Sequence, residues 1–168
     1  SVADKIDGNA GFCGDRQPST SETTSNGSGG TGTTLTYYGA YIRLVNSKKP
    51  TFECQNESDL YTTSGSENGN KALTYPIGLI TADEVAYAGG VGSSNRSYFL
   101  YTNQNYWTMS PCWFADGWAG VFDVSSSGGL NYWYSVNNSD GVRPVINLKA
   151  DVAISTGKGT SSSPYVIS

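Results

Sequence analysis

Apolar positions recur along the chain in three rhythms, and each predicts a different element. Over residues 35–45 (LTYYGAYIRLV) aromatic and β-branched residues half-alternate, which suits a strand, and Asn46-Ser47-Lys48-Lys49-Pro50 ends it. Over residues 81–90 (TADEVAYAGG) Thr81 stands where a helix cap belongs, Glu84 follows three residues later, and Gly89-Gly90 stop the turn. That spacing is a capping box with a glycine terminator, so a helix of about two turns is expected over 82–88. The apolar run before it, LTYPIGLI over 73–80, contains Pro76 and reads as an edge strand or an extended lead-in.

From Ser97 onward short apolar segments alternate with turn residues: SYFLYT, NYWTMSP, AGVFDV, GLNYWYSV and GVRPVINL. Strands at this spacing predict hairpins, with Gly128-Gly129 as one turn and Asn138-Ser139-Asp140-Gly141 as a second. The tail closes with a turn and one last short strand, made an edge by Pro164. Between the strand-like runs, CWFADGWAG has neither helical nor strand period and reads as a loop that presents Trp113 and Trp118 outward. The pattern as a whole predicts an α+β fold: a small antiparallel sheet, a short helix and long loops.

Composition adds a boundary condition at each end. Residues 18–34 are almost wholly Ser, Thr, Gly and Asn, too polar to offset their ordering entropy by burial, and are expected to form a flexible surface loop. At 168 residues the chain supports a single domain, 1–168. Only 14% of residues are charged, while there are 21 Gly and 12 Tyr, a balance that suits an extracellular or cell-surface protein. A net charge of -4 without clustered Lys or Arg excludes a nucleic-acid partner held through phosphates. No apolar run approaches the roughly 20 residues needed to span a bilayer, so this domain is expected not to insert in a membrane. Ser1 is read as a processed or truncated start with any anchor upstream.

The three cysteines, Cys13, Cys54 and Cys112, match no zinc spacing. An odd count in a secreted chain implies one disulfide and one free thiol, and Cys13–Cys54 is the expected pair because both flank the Ser/Thr/Gly-rich segment. Such a bridge contributes about 3–4 kcal/mol on the chain-entropy model. The alternative is three buried thiols.

Candidate chemistry is narrowed first by the absence of histidine, which removes every Ser-His and Cys-His arrangement. Asp83 and Glu84 fit the first turn of the helix, and Glu57 and Asp59 a polar turn. A carbohydrate-active enzyme using Asp116 and Asp123 stays open as a rival. Calcium could draw on Asp116, Asp123, Asn137, Asn138 and Asp140, yet no run of oxygen ligands resembles a calcium loop, and neither metal nor cofactor is expected.

The stretch 101–140 differs from the rest. It holds ten of the 21 aromatics and three aspartates without a Lys or Arg, and the remainder is largely Ser, Asn, Gly, Thr and Ala. Tyr and Trp there provide contact area at low rotamer cost while Ser, Gly and Asn provide adaptable hydrogen bonding, as in selected binding surfaces. Trp113, Phe114, Trp118, Tyr132, Trp133 and Tyr134 are the candidates; Trp107 and Phe122 are read as core, and Arg143 as a structural cation held by a carboxylate or by carbonyls.

YWTMSP (106–111), GVRPVINLKADV (141–152) and GTSSSPYVI resemble gut-bacterial surface proteins with a C-type-lectin-like domain, over about residue 35 to the end. The GVRPV strand resembles one in the formylglycine-generating-enzyme fold, and the family resembles variable proteins of diversity-generating retroelements. The resemblance implies a fixed scaffold, including Tyr106, Trp107, Met109, Pro111, Val121 and Val124, with Leu130, Val136, Arg143 and Pro144. It implies a diversified recognition region over 106–140, displaying Cys112, Trp113, Ala115, Asp116, Gly117 and Gly120, then Asp123, Asn131, Tyr132, Trp133 and Tyr134. Cys112 would then be an unpaired product of diversification, and oxidase chemistry does not carry over because the second reactive cysteine is missing. The function implied is receptor- or adhesin-type binding of a protein or glycan on a cell or phage surface, without catalysis. A pilus or fibre subunit with an aromatic assembly interface is the rival reading.

Overall fold

The computed structural model describes residues 1–19, 35–160 and 162–168. Most of the expected surface loop, residues 20–34, therefore lies outside the described residues, while Pro18 bridges to Tyr38 at its border.

The N-terminal part is built from minimal elements. Strand β1 (Phe12–Cys13) and strand β2 (Thr36–Tyr37) precede one α-turn, α1 (Gly39–Tyr41), which runs on as a π-helix over Ile42–Ser47. The strand expected over 35–45 is thus confined to its first residues. The reason lies in tertiary packing: Tyr41, Leu44 and Val45 recur at helical spacing and turn together onto the core. Strand β3 (Leu60–Tyr61) pairs with β1, and strand β4 (Gly78–Leu79) emerges from the extended lead-in expected before the helix.

Helix α2 (Ala82–Tyr87) forms where the capping box predicted it. The Thr81 hydroxyl accepts the Glu84 backbone N–H, and the Glu84 carboxylate accepts the Thr81 N–H at 2.7 Å. Ala82 and Val85 bury completely beneath the main sheet.

That sheet is carried by three long strands, β5 (Tyr106–Ala115), β6 (Trp118–Val124) and β7 (Leu130–Ser135), in the antiparallel order β2-β5-β6-β7. Ser125 and Gly129 close the β6–β7 turn, with Gly128 at φ 81°. The meander therefore matches the expected hairpin at Gly128-Gly129. Extra residues on β5 and β7 interrupt the register and curl the sheet, so the architecture is β-rich α+β with a curled half-barrel.

Two expectations fail in this part. SYFLYT forms turns instead of a strand, because Leu100 plugs into the core and its carbonyl accepts from both Tyr106 Oη (3.1 Å) and Arg143 (2.8 Å). The second expected hairpin, over 138–141, does not form: a turn closed by Asn138 N–H to the Ser135 carbonyl ends β7, and the next strand pairs elsewhere. The chain then crosses beside Tyr106 and places strand β8 (Pro144–Val145) against β4. Strands β9 (Ile154–Thr156) and β10 (Val166–Ile167) pair as the exposed tail hairpin.

Two fasteners tie the small elements down. Cys13 and Cys54 form a disulfide, and Cys112 stays a free, buried thiol. Arg43 sits between Asp83, held in a two-pronged contact at 2.8 and 3.0 Å, and Asp15. Burial works against the Arg43 charge, but hydrogen bonds to Asp83 and Asp15 outweigh it and raise its pKa. Among the described residues no helix is long and apolar enough to cross a membrane.

Candidate functional site

The segment expected to be a loop, CWFADGWAG, is the β5–β6 hairpin. Asp116 (φ 49°) and Gly117 (φ 81°) form a two-residue turn of the type whose twist matches the flanking strands, and Ala115 stands opposite Trp118. Asp-Gly between apolar runs was the available signal. Its consequence is rigidity: Trp113 and Trp118 project from paired strands, not from a loop.

Register decides which way they project. Gly120 and Trp113 are cross-strand partners, as are Gly120 and Ser135, so they share a face with Phe122, Val124 and Leu130, the face that makes the core. The same face continues to the hairpin tip, past the end of the helical layer. There it becomes an open aromatic shelf: Trp118 and Trp133 are each 54% exposed.

A bulge shapes the shelf. Four residues of β7 (131 to 134) span the same register as three of β6 (123 to 121), so strict alternation between Tyr132 and Trp133 is lost. Their rings, adjacent in sequence, come within 5.4 Å, and Trp133 also meets Trp113 at 5.6 Å. The π-helical side extends the run, with Tyr41 edge-on to Tyr132 at 5.7 Å and stacked on Tyr37 at 4.0 Å. Tyr37 and Tyr41 escaped the sequence reading because nothing local ties them to residues some ninety positions later. Tyr134 lies on the opposite face against Trp107, so it belongs to the back of the sheet, and Trp107 is half-buried there while Phe122 is core.

Three residues expected to be displayed are sealed inside. Cys112 is fully buried, donates to the Tyr132 carbonyl, and burial pushes its thiol pKa up, which keeps it protonated and inert. Gly120 is buried beneath the Trp113 indole, where a Cβ would collide with the ring nitrogen. Asp123 is fully buried on the back of the sheet. Ala115, Trp113 and Tyr132 are half-buried, and Asp116 and Gly117 are exposed at the tip.

Asp123 accepts from Asn131 Nδ2 at 3.2 Å through one oxygen, while its other oxygen has no partner. Burial raises its pKa to about 6, and nearby Asp140 adds to the effect. Asp140 is held by Asn105 at 3.2 Å. Asp116, at the opposite end of β6, lies about 20 Å away at roughly 3.3 Å per residue. Paired glycosidase carboxylates stand about 5–10 Å apart, so Asp116 and Asp123 do not form such a pair. The same separation prevents Asp116 from sharing a cation with Asp123 and Asp140. Among the described residues, no cluster of three or more His, Cys, Asp or Glu is placed to hold a metal. Arg143 binds the Leu100 carbonyl and lies over the Tyr106 ring at 5.3 Å, a structural cation held by a carbonyl.

No protein-family model, curated protein or solved structure matches the chain.

Proposed function

We propose that the chain is a surface-displayed binding domain of receptor or adhesin type, recognising a protein or glycan on a cell or phage surface through the aromatic shelf. The observation that carries this reading is the pair of half-exposed indoles, Trp118 and Trp133, on paired strands that carry the buried core further along the same face. Large aromatics that cost little entropy to fix are the anchors of recognition surfaces, and their faces stack on sugars or fill apolar hollows. The stretch 101–140 has no Lys or Arg, so the shelf selects by shape and stacking more than by charge.

The resemblance to C-type-lectin-like variable proteins supports the same reading. On it, diversification acts where side chains reach the shelf, at Trp113, Ala115, Asp116, Trp118, Tyr132 and Trp133, while Cys112, Gly120 and Asp123 are held by the fold. The disulfide fits an extracellular or cell-surface location.

The test is binding of the purified domain to glycan and surface-protein arrays beside Trp118→Ala/Trp133→Ala. The variant is expected to keep the native melting temperature within a few degrees and to lose at least about tenfold in affinity for whatever the native domain captures. Unchanged capture by an equally stable variant contradicts the assignment.

A second reading, a pilus or fibre subunit, draws on the two-stranded tail hairpin, where Ile154 (61% exposed) and Val166 (51% exposed) present apolar side chains to solvent. Self-association that Ile154→Lys abolishes and Trp118→Ala/Trp133→Ala leaves intact would favour it.

A further inference from the structure

Behind the shelf lies a second concavity. It opens between the π-helix, α2 and β7, with Leu44 and Val45 on one wall, Ala86 on another, and Phe122, Leu130 and Tyr132 lining its sheet side. Its volume is about 330 Å³. That falls within the range of small-molecule sites, which are apolar concavities with few polar groups. Close-packed interiors seldom leave such a space against a core residue as buried as Phe122, and every wall atom facing it forgoes dispersion contacts. A cavity of about 150 Å³ takes benzene, so this one accommodates two fused rings or a chain of about ten carbons.

One charge marks the opening. Lys48 is the sole charged residue among the described residues lining the cavity; it is exposed at the end of the π-helix, and no described carboxylate pairs with it. We propose that the cavity binds a small apolar monocarboxylate, its hydrocarbon part against Phe122, Leu130 and Val45 and its carboxylate in water beside Lys48. This site is separate from the shelf in what it recognises. It touches the shelf through Tyr132, whose ring neighbours Trp133, so occupancy is readable in tryptophan emission.

The test uses decanoate and its neutral counterpart decan-1-ol, titrated into the full chain by calorimetry below their aggregation limits. Two variants block the cavity independently. Gly92→Phe adds a side chain at the mouth, where a Cβ meets nothing within 4 Å, and its folding is checked by thermal melting. Val45→Phe fills the space from its wall. Saturable decanoate binding, weakened at least tenfold by either block, is expected. Lys48→Met is expected to weaken decanoate about threefold, the modest effect of an exposed ion pair, and to leave decan-1-ol unchanged. Absence of saturable binding of either probe, or binding that both folded blocking variants retain, overturns the site. Equal responses of the two probes to Lys48→Met overturn the carboxylate assignment.

Discussion

Residues 1–80 and the β5–β7 sheet solve the same problem with different forces. In the first region the strands β1, β3 and β4 are two residues each, far too short to hold by ladder hydrogen bonds alone, and the region is fastened by the Cys13–Cys54 bridge and by Arg43 between Asp15 and Asp83. In the second the strands run ten, seven and six residues and are held by apolar packing of Phe122, Val124 and Leu130 against Val85 and Ala82. The difference teaches where variation is tolerable. A framework fastened at a few charged and covalent points fails if one point is lost, whereas a sheet whose inner end is packed can change the residues at its outer end.

The comparison breaks most visibly at Arg43. Arg43→Met leaves Asp15 and Asp83 buried with no cation, and chemical denaturation is expected to show a loss of about 3–5 kcal/mol. A loss under about 1 kcal/mol would mean the charged frame is incidental.

Gly120→Ala probes the junction between core and shelf. The added methyl falls on the Trp113 ring nitrogen, so the indole has to swing out, at a cost of about 1–3 kcal/mol. Because Trp113 and Trp133 are in contact, the displacement is expected to shift tryptophan emission as well as stability. Stability lost without a spectral change would place the strain elsewhere.

Asp123 gives an effect that switches with pH and has a defined sign. Its carboxyl ionises at about 6 in the folded chain against a reference near 3.8, so the folded state holds the proton between those values. The residue's contribution is complete below about pH 3.8 and is lost as pH rises through 6. Asp123→Asn is therefore expected to match the native chain at pH 3.5 and to exceed it by about 3 kcal/mol at pH 7.5, compared by urea unfolding at both pH values. A variant less stable at pH 7.5 would show that the buried charge has a partner.

Local chemistry was legible in the sequence. Thr81 and Glu84 specify α2 by contacts three residues apart, and Gly128-Gly129 and the alternating runs around it specify the meander. Asp116-Gly117 was equally legible as a hairpin turn, but the mixed periodicity of CWFADGWAG hid it. What the sequence could not display is long-range pairing. Nothing in GVRPV indicates that β8 joins β4 instead of β7, and nothing in GAYIRLV indicates that a core lies on one side of it. The burial of Cys112 goes with a bulge in β5, which shifts register without any compositional mark.

The central claim is that recognition resides on the outer end of the sheet and is separable from the frame that holds the domain together. Hydrogen exchange of the domain, alone and bound to a target captured on the arrays, tests it most directly. Added protection is expected over residues 113–120 and 131–134, with β1, β3 and the Arg43 region unchanged. Protection confined to the tail hairpin, to the back of the sheet around Trp107, or to the N-terminal frame would contradict it.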